Sequence, residues 1–244
     1  MHSLRVNTLR ALCALALLTC STIASAQSFE IKRYDGIYNS FAINRGDFNN
    51  DGFQDVIATG SPSVGNGFMV FLGNPDGTFR PGIFYSLADE VSDLTVGDFN
   101  HDGKLDVAVI GPNNLAYIIL GKGDGTFQTP VSLGIKYGAS TIIAADFNND
   151  GKVDLAVAES QYQPQTFELA EIFQGNGDGT FNRVGEYDYN DADNFPLKIR
   201  IGDFNGDGKT DIAVMLFHSL NVLWGGGNGT FQTQQLVPTS KPMT

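Results

Sequence analysis

The stretch "GDFNNDGFQDVIATG", residues 46–60, places an acidic loop directly before an apolar run. Asp47, Asp51 and Asp55 lie close together, and Asn49 stands between the first two. Like charges this near repel one another, and repulsion beside a buried strand opposes folding unless a positive charge offsets it. The stretch therefore predicts a cation-binding loop at the start of a buried strand.

The same pattern recurs along the chain. Four copies of D-x-N-x-D-G-x-x-D occupy residues 47–55, 98–106, 146–154 and 203–211, with spacings of 51, 48 and 57 residues. A glycine-rich phrase follows each copy: "GNPDGTF" from Gly73, "GKGDGTF" from Gly121, "GNGDGTF" from Gly175 and "GGGNGTF" from Gly225. A period near 50 residues with two landmarks is typical of repeated supersecondary units such as propeller blades.

Each repeat has the pattern of four strands. A short segment such as 197–201 precedes the acidic loop, and a continuous apolar run ("DVIAT", "DVAVI", "DLAVA" or "DIAVM") follows it. Short runs rich in branched residues favour strands buried on both faces. The third strand ends at the glycine-rich phrase, whose Asp-Gly pair accepts positive φ in the turn to the fourth. The predicted fold class is all-β: a β-propeller-type array of four four-stranded antiparallel blades. The pattern is also compatible with a partial propeller.

The acidic loop offers oxygen ligands in the order that calcium loops use. Side chains at positions 1, 3, 5 and 9, the carbonyl of position 7 and a glycine at position 6 match the first nine positions of an EF-hand loop. A set of oxygen donors without Cys or His favours Ca²⁺ over zinc or copper, and Mg²⁺ prefers a smaller octahedral shell. The flanks are strands, and the EF-hand glutamate at position 12 is replaced by Ala58, Val109, Val157 and Val214. Any single copy can also be a metal-free Asx-rich turn, but four intact ligand sets favour metal.

The loop "DFNxDGxxD", followed by an apolar strand and "GxGDGTF", resembles the FG-GAP or VCBS repeat. That repeat builds the calcium-bearing propeller of integrin alpha chains and of many secreted bacterial proteins, and the resemblance covers essentially the whole mature chain. It implies about four Ca²⁺ per chain, with these side-chain ligands: Asp47, Asn49, Asp51, Asp55, Asp98, Asn100, Asp102, Asp106, Asp146, Asn148, Asp150, Asp154, Asp203, Asn205, Asp207 and Asp211. The implied backbone carbonyl ligands are those of Phe53, Lys104, Lys152 and Lys209. The four units depart from the family's usual number of about seven blades.

The N-terminus has the features of a secretory signal peptide. Arg5 and Arg10 precede an apolar core, and small residues at 24–26 form the cleavage site, which predicts a signal peptide at 1–26 and a repeat domain at 27–244. The expected location is secreted, extracellular or periplasmic, with no membrane span after cleavage. Thr19 is a poor residue before a lipidated cysteine, so plain secretion is preferred to anchoring at Cys20. The net charge of −12 argues against a nucleic-acid partner, because phosphate binding needs a basic surface.

The sequence offers no catalytic constellation. His101 and His218 are expected to lie on the surface, and no Ser or Cys stands in a nucleophile motif. The predicted function is a secreted calcium-binding repeat module, without enzymatic activity, that mediates adhesion by binding an unknown protein or glycan. A propeller-type, lyase-like polysaccharide enzyme and a fragment of a larger adhesin-like protein remain alternatives. The connections at 159–168 and 186–196 differ most between repeats, which is typical of recognition loops or of neutral drift.

Two further expectations concern packing. The phenylalanines at loop position 2 should plug the core: Phe48, Phe99, Phe147 and Phe204. A four-unit array at the usual blade angle would leave open faces, so either a closed four-blade ring or self-association of half-rings through open blade edges is expected.

Overall fold

A computed structural model describes residues 42–60, 65–112, 114–159, 169–188 and 196–238. The chain divides into two compact units, Met1–Tyr34 and Asp35–Thr244, and every described residue belongs to the second. The predicted signal peptide therefore lies outside the described residues. Within the five described ranges, no helix has the length and apolar character needed to cross a membrane.

The described chain forms sixteen strands in four sheets, and each sheet follows chain order. The first sheet contains β1 (Ile43–Gly46), β2 (Asp55–Gly60), β3 (Gly67–Phe71) and β4 (Ile83–Ser86). The second contains β5 (Asp93–Gly97), β6 (Asp106–Ile110), β7 (Ala116–Ile119) and β8 (Val131–Ser132). The third contains β9 (Ala139–Ala145), β10 (Asp154–Glu159), β11 (Leu169–Gly175) and β12 (Phe181–Asp188). The fourth contains β13 (Pro196–Gly202), β14 (Asp211–Leu216), β15 (Ser219–Gly225) and β16 (Phe231–Pro238).

Each acidic loop is the hairpin connection between the first two strands of its sheet. In the first sheet the loop is closed by the antiparallel pair Gly46 and Asp55. The second and fourth sheets have the same closing pair of a glycine and an aspartate, and in the third sheet Ala145 takes the place of the glycine. The second strand then crosses the middle of the sheet, and β6 and β10 are buried along their full length. The prediction of four four-stranded antiparallel blades is confirmed, including the apolar run as a central strand.

The core lies between successive sheets. Three apolar clusters fill the spaces between the first and second, second and third, and third and fourth sheets. Each of the first three loop phenylalanines packs edge to face against the phenylalanine that ends the glycine-rich phrase of the next repeat. The ring centroids of Phe48 and Phe127 are 6.0 Å apart. The two later pairs, Phe99–Phe181 and Phe147–Phe231, have centroids 5.6 Å apart. Aromatic pairs in this geometry add to the stabilisation from area burial.

The prediction that all four loop phenylalanines plug the core is wrong for the last one. Phe48, Phe99 and Phe147 are at most 2% exposed, whereas Phe204 is 50% exposed. The physical reason is that each ring is buried by the sheet that follows its own. No described residue forms a fifth sheet beyond the fourth.

The first strands of successive sheets lie side by side along one face of the array, which we call the inner face: β1 beside β5, β5 beside β9, and β9 beside β13. Polar groups connect them. The Asn44 side chain donates to the Leu94 carbonyl (3.0 Å), and the Ser140 hydroxyl donates to the Pro196 carbonyl (2.9 Å). Among the described strands, β1 and β13 have no comparable packing against each other, so the array is open and the closed four-blade ring is not formed.

Candidate metal centres and neighbouring surfaces

The four acidic loops share one hydrogen-bond pattern. In the first loop, Asp47 accepts the amides of Asp51 (3.1 Å) and Gly52 (2.8 Å), and the Asn49 side chain also accepts the Asp51 amide (3.1 Å). The Asp51 carboxylate accepts the Phe53 amide at 3.0 Å. The other three loops repeat these four bonds at the same offsets, with donor–acceptor distances of 2.8–3.2 Å. The loops thus gather the predicted side-chain oxygens of positions 1, 3 and 5 around a few backbone amides.

Backbone conformation explains the residue types at position 4. This position has φ of 56° to 59° at Asn50, His101 and Asn149, and Gly206 occupies it in the last loop. Asn, His and Gly are residues that adopt this left-handed conformation readily. His101 is exposed, as predicted, and its place in the loop is accounted for by backbone conformation.

The aspartate at position 9 has a structural role that sequence reasoning missed. Asp55 is fully buried, and its two oxygens accept the amides of Phe48 and of Gly73, both at 2.8 Å. Asp106, Asp154 and Asp211 make the corresponding pairs of bonds at 2.8–3.0 Å. This carboxylate therefore joins the acidic loop to the first glycine of the glycine-rich phrase. The constant pairing of the two phrases in each repeat was the available signal.

The electrostatics of the loops favour an added cation. Burial, together with the carboxylates at positions 1 and 5, raises the pKa of Asp55, Asp106 and Asp154, although the two amide bonds of each lower it. Basic side chains reach the position-5 carboxylate in three loops: Arg80 to Asp51 at 3.3 Å, Lys104 to Asp102 at 2.9 Å and Lys209 to Asp207 at 3.6 Å. These partly exposed pairs offset only part of the charge, because exposed ion pairs are weak.

The donor set of each loop fits a hard divalent cation. Three carboxylates and an amide oxygen supply only oxygen donors. A carboxylate oxygen that accepts one amide keeps a lone pair for a cation, whereas Asp203 Oδ1 in the last loop accepts two amides, those of Gly206 and Asp207. In the described part of the chain, however, no three Asp, Glu, His or Cys side chains already converge on one point. The backbone already brings the ligand positions of each loop close together. To coordinate a cation, their side chains would need only small rotations.

A cleft of about 550 Å³ lies beside the last acidic loop. Asn205, Asp207, Lys209, Trp224 and Gln232 line it. In earlier repeats the glycine-rich turn of the next repeat occupies the corresponding place, where the Gly125 amide donates to the Phe48 carbonyl at 2.9 Å. The cleft is therefore formed by the surface that, in earlier repeats, contacts the repeat that follows.

A second cavity, of about 410 Å³, opens on the inner face and is lined by residues from the first strands of all four sheets and their immediate flanks. Asp93 is 6% exposed there, and its carboxylate accepts the Thr141 hydroxyl at 2.8 Å and the Lys198 ammonium at 3.1 Å. Asn44 and Arg200 add further polar groups to the lining. The cavity thus offers hydrogen-bond donors and acceptors on a concave surface.

A buried glutamate pair lies in the third sheet, at the opposite end of β10 from its acidic loop. Glu159 and Glu171 are both fully buried, and Arg183 forms an ion pair with Glu171. Burial first, and then the adjacent Glu171, raise the pKa of Glu159 to about 9. One oxygen of Glu171, Oε2, has no hydrogen-bond partner among the described residues. A proton held on Glu159 can be shared in a hydrogen bond with Glu171, which lowers the cost of burying two acidic side chains next to each other.

Two further predictions concern residues outside the acidic loops. Most of the connections at 159–168 and 186–196 lies outside the described residues. His218 is exposed, as predicted, and its ring lies 4.5 Å from that of Phe217.

Comparison with known proteins gives a family match and several structural likenesses. Residues 47–109, 98–157 and 166–214, about two thirds of the chain, match the family model described as FG-GAP-like repeat. No curated protein sequence matches the chain. A lectin of Agrocybe aegerita, whose structure explains its specific recognition of non-reducing terminal N-acetylglucosamine, is similar in structure. The TM-score is 0.55 at 19% identity, over 80% of this chain and 51% of the lectin.

Two further structures show weaker similarity. The Dos1 propeller has a TM-score of 0.49 at 14% identity, over 74% of this chain and 44% of that one. The V. cholerae biofilm matrix protein Bap1 has a TM-score of 0.40 at 15% identity, over 87% of this chain and 42% of that one. The chain thus spans about half the length of the structures it resembles.

Proposed function

The chain belongs to the FG-GAP-like repeat family, and on this basis we propose that it is a secreted calcium-binding repeat module that binds a protein or carbohydrate partner. The observation that carries the calcium assignment is the fourfold repetition of one loop geometry, with the same oxygens accepting the same amides in every copy. A turn that needed only to reverse the chain would not require three carboxylates in each of four copies.

The proposed ligands are the side chains of positions 1, 3, 5 and 9 and the carbonyl of position 7 in each loop. A bound divalent cation would supply positive charge among carboxylates that otherwise repel one another. The loop residues themselves hold the hairpin shape, as positions 1, 3 and 5 accept amides within the loop and position 9 anchors the loop to the glycine-rich phrase. Calcium is thus assigned a stabilising role, and the proposal gives it no catalytic one.

Partner binding is assigned to the inner face. Its 410 Å³ cavity presents the side chains of Asn44, Lys198 and Arg200, and polar groups on a concave surface suit the hydroxyls of a sugar or the backbone of a peptide. A lectin of similar fold recognises a terminal N-acetylglucosamine, which supports carbohydrate as one partner class. Secretion rests on the signal-peptide pattern at 1–26.

Calorimetric titration of the chelated mature protein tests the calcium assignment. We expect close to four sites of similar affinity, with Kd on the order of 10⁻⁴ M as in extracellular modules, because no bidentate glutamate stands at position 12. A stoichiometry of zero or one would refute the assignment.

A glycan array and a screen of candidate protein ligands test partner binding. Arg200→Ala on the inner face should abolish the binding seen with the wild type. Arg80→Ala, which removes an arginine at a calcium loop, should not. Turnover of acidic polysaccharides in the same samples would instead support the lyase-like alternative.

A further inference from the structure

The inner face carries a charge opposite in sign to that of the whole chain. Its four strands, β1, β5, β9 and β13, contain three basic residues: Arg45, Lys198 and Arg200. The acidic residue of these four strands is Asp93. The chain as a whole has a net charge of −12. An anionic ligand is therefore repelled by most of this protein and meets positive charge on the inner face.

The acidic side chain of the inner face is already paired. Asp93 is 6% exposed, and its Oδ2 accepts the Thr141 hydroxyl at 2.8 Å and the Lys198 ammonium at 3.1 Å. Lys198 thereby reaches from the fourth sheet to the second, and 46% of its side chain stays exposed. A lysine ammonium carries more N–H donors than this pair uses. Asp93 thus holds in place a cation that can still donate to a ligand.

Arg200 supplies the second positive charge of the 410 Å³ cavity. It lines the cavity beside Lys198 and is exposed. Among the described residues it forms no ion pair, and its hydrogen bond there runs from Nη1 to the neighbouring Ile199 carbonyl at 2.7 Å. A guanidinium presents its donors as a planar fork that pairs with an oxyanion through two parallel bonds. Most of that fork is therefore open to an anionic group in the cavity.

The rest of the lining suits a sugar ring. Asn44, Thr95 and Thr141 add amide and hydroxyl groups, which exchange hydrogen bonds with sugar hydroxyls. Ile43, which is 70% exposed, adds an apolar surface for the C–H groups of a ring. Because residues from the first strands of all four sheets line the cavity, the space is compact. An extended peptide would instead need an elongated groove that accepts successive side chains.

We propose that the inner-face cavity selects an anionic sugar, one whose ring carries a carboxylate or a sulfate, and that Arg200 and Lys198 pair with the anionic group. Asp93 is a positioning residue that fixes Lys198. This inference rests on the proposed function in placing partner binding on the inner face. It adds the charge class of the partner and the residues that select it.

Calorimetric titration with matched pairs of oligosaccharides, at one fixed calcium concentration, tests the charge class. One pair is a hyaluronan tetrasaccharide, which carries carboxylates, and its carboxyl-reduced form. The other is a sulfated galactose tetrasaccharide and its desulfated form. At least one anionic member should bind about tenfold or more tightly than its neutral counterpart, and the difference should shrink as the salt concentration rises. The pair with the larger difference identifies the anionic group.

Three variants test the residues. Arg200→Ala should weaken binding of the anionic sugar by at least about tenfold, as loss of a charge-assisted hydrogen bond does. Arg200→Lys should recover part of this loss, because it keeps the charge but not the planar fork. Arg45→Ala is the matched control: Arg45 is exposed on the inner face but does not line the cavity, so affinity should change by less than about twofold. Circular dichroism should show an unaltered fold, since both arginines are exposed.

Four results would overturn the proposal. One is equal binding of the anionic and neutral members of both pairs. Another is an equal loss in Arg45→Ala and Arg200→Ala, which would indicate diffuse attraction. The third is a loss in Asp102→Ala but not in Arg200→Ala, which would place the anion at a calcium loop. The fourth is an acidic peptide that binds more tightly than either sugar and depends on Arg200.

The same titrations separate this inference from the proposed function. A neutral glycan or a protein that binds in an Arg200-dependent way, with no preference for anionic sugars, would refute the charge class and leave partner binding on the inner face in place. If no glycan or protein shows Arg200-dependent binding, both are wrong.

Discussion

The acidic loop combines two roles: it accepts buried backbone amides, and it is proposed to bind calcium. Replacing Asp106 and Asp102 in turn separates these roles. Asp106, at position 9, is fully buried and accepts the amides of Phe99 and Gly121, both at 2.8 Å. Asp106→Ala leaves both amides buried without an acceptor, at about 1–3 kcal/mol each. Burial and, after it, repulsion from Asp102 and Asp98 raise the pKa of Asp106, and the relief of both on substitution offsets part of this loss. We therefore expect a destabilisation of about 2–5 kcal/mol even with chelator present.

Asp102→Ala is the matched change at position 5 of the same loop. Its side chain is 30% exposed and pairs with Lys104 at the surface, so its loss in chelator should cost less than about 1 kcal/mol. The two variants should differ in chelator, since only Asp106 holds buried amides.

Calcium should act on the two variants alike. A ligand that binds only the native state stabilises it by about 1.4 kcal/mol per site at ~1 mM calcium and a Kd of ~0.1 mM. Four sites give the wild type about 6 kcal/mol, whereas either variant, with three sites left, should gain about 4 kcal/mol.

Urea denaturation in chelator and in calcium measures all six free energies of unfolding. If calcium leaves the wild-type curve unmoved, the loops are not stabilising metal sites. If the two variants are equally stable in chelator, the assigned role of the position-9 carboxylate is wrong.

Three more predictions follow from the same geometry. Magnesium at the same concentration should restore little of the calcium-dependent stability of the chelated wild type, because it demands a smaller octahedral shell; equal melting temperatures in the two ions would contradict this. The pKa of Glu159 is raised from 4.5 to about 9 in the folded chain. Its contribution to the free energy of unfolding is therefore complete below pH 4.5 and is lost as the pH rises towards 9. The free energy of unfolding should fall by up to about 1.4 kcal/mol per pH unit. Glu159→Gln should remove that slope in denaturation curves from pH 5 to 9, and the exposed control Glu186→Gln should keep it. Phe99→Ala should destabilise by about 3–5 kcal/mol and Phe204→Ala by about 1 kcal/mol or less; equal losses would show that inter-sheet burial does not distinguish the two rings.

The sequence predicted the repeat and its strands well, because both depend on local pattern. The apolar run after each loop became a central strand, and the glycines of the Asp-Gly pairs adopt positive φ at Gly77, Gly125 and Gly179. The burial of Phe99 also followed from the repeat, because the sheet after its own is another copy of the same unit.

The features that were missed all depend on contacts between distant parts of the chain. The four loop phenylalanines look alike in sequence, yet Phe204 is exposed because burial comes from a following sheet. The second amide bond of Asp55 reaches Gly73, which is 18 residues away, and no spacing within the loop shows it. Glu159 and Glu171 stand in separate strands, so their pairing depends on the register of β10 against β11. The calcium ligands stay a prediction.

The contacts between repeats run in one direction, since each buried loop phenylalanine meets the glycine-rich turn of the repeat that follows. The free energy of the array is then close to a sum of unit terms and nearest-neighbour terms, as in a one-dimensional lattice. Duplication of one unit within the gene would add a unit and a junction while leaving the existing junctions intact. Repeat number can therefore change by single recombination events, and selection can act on the length of the array separately from the sequence of its units.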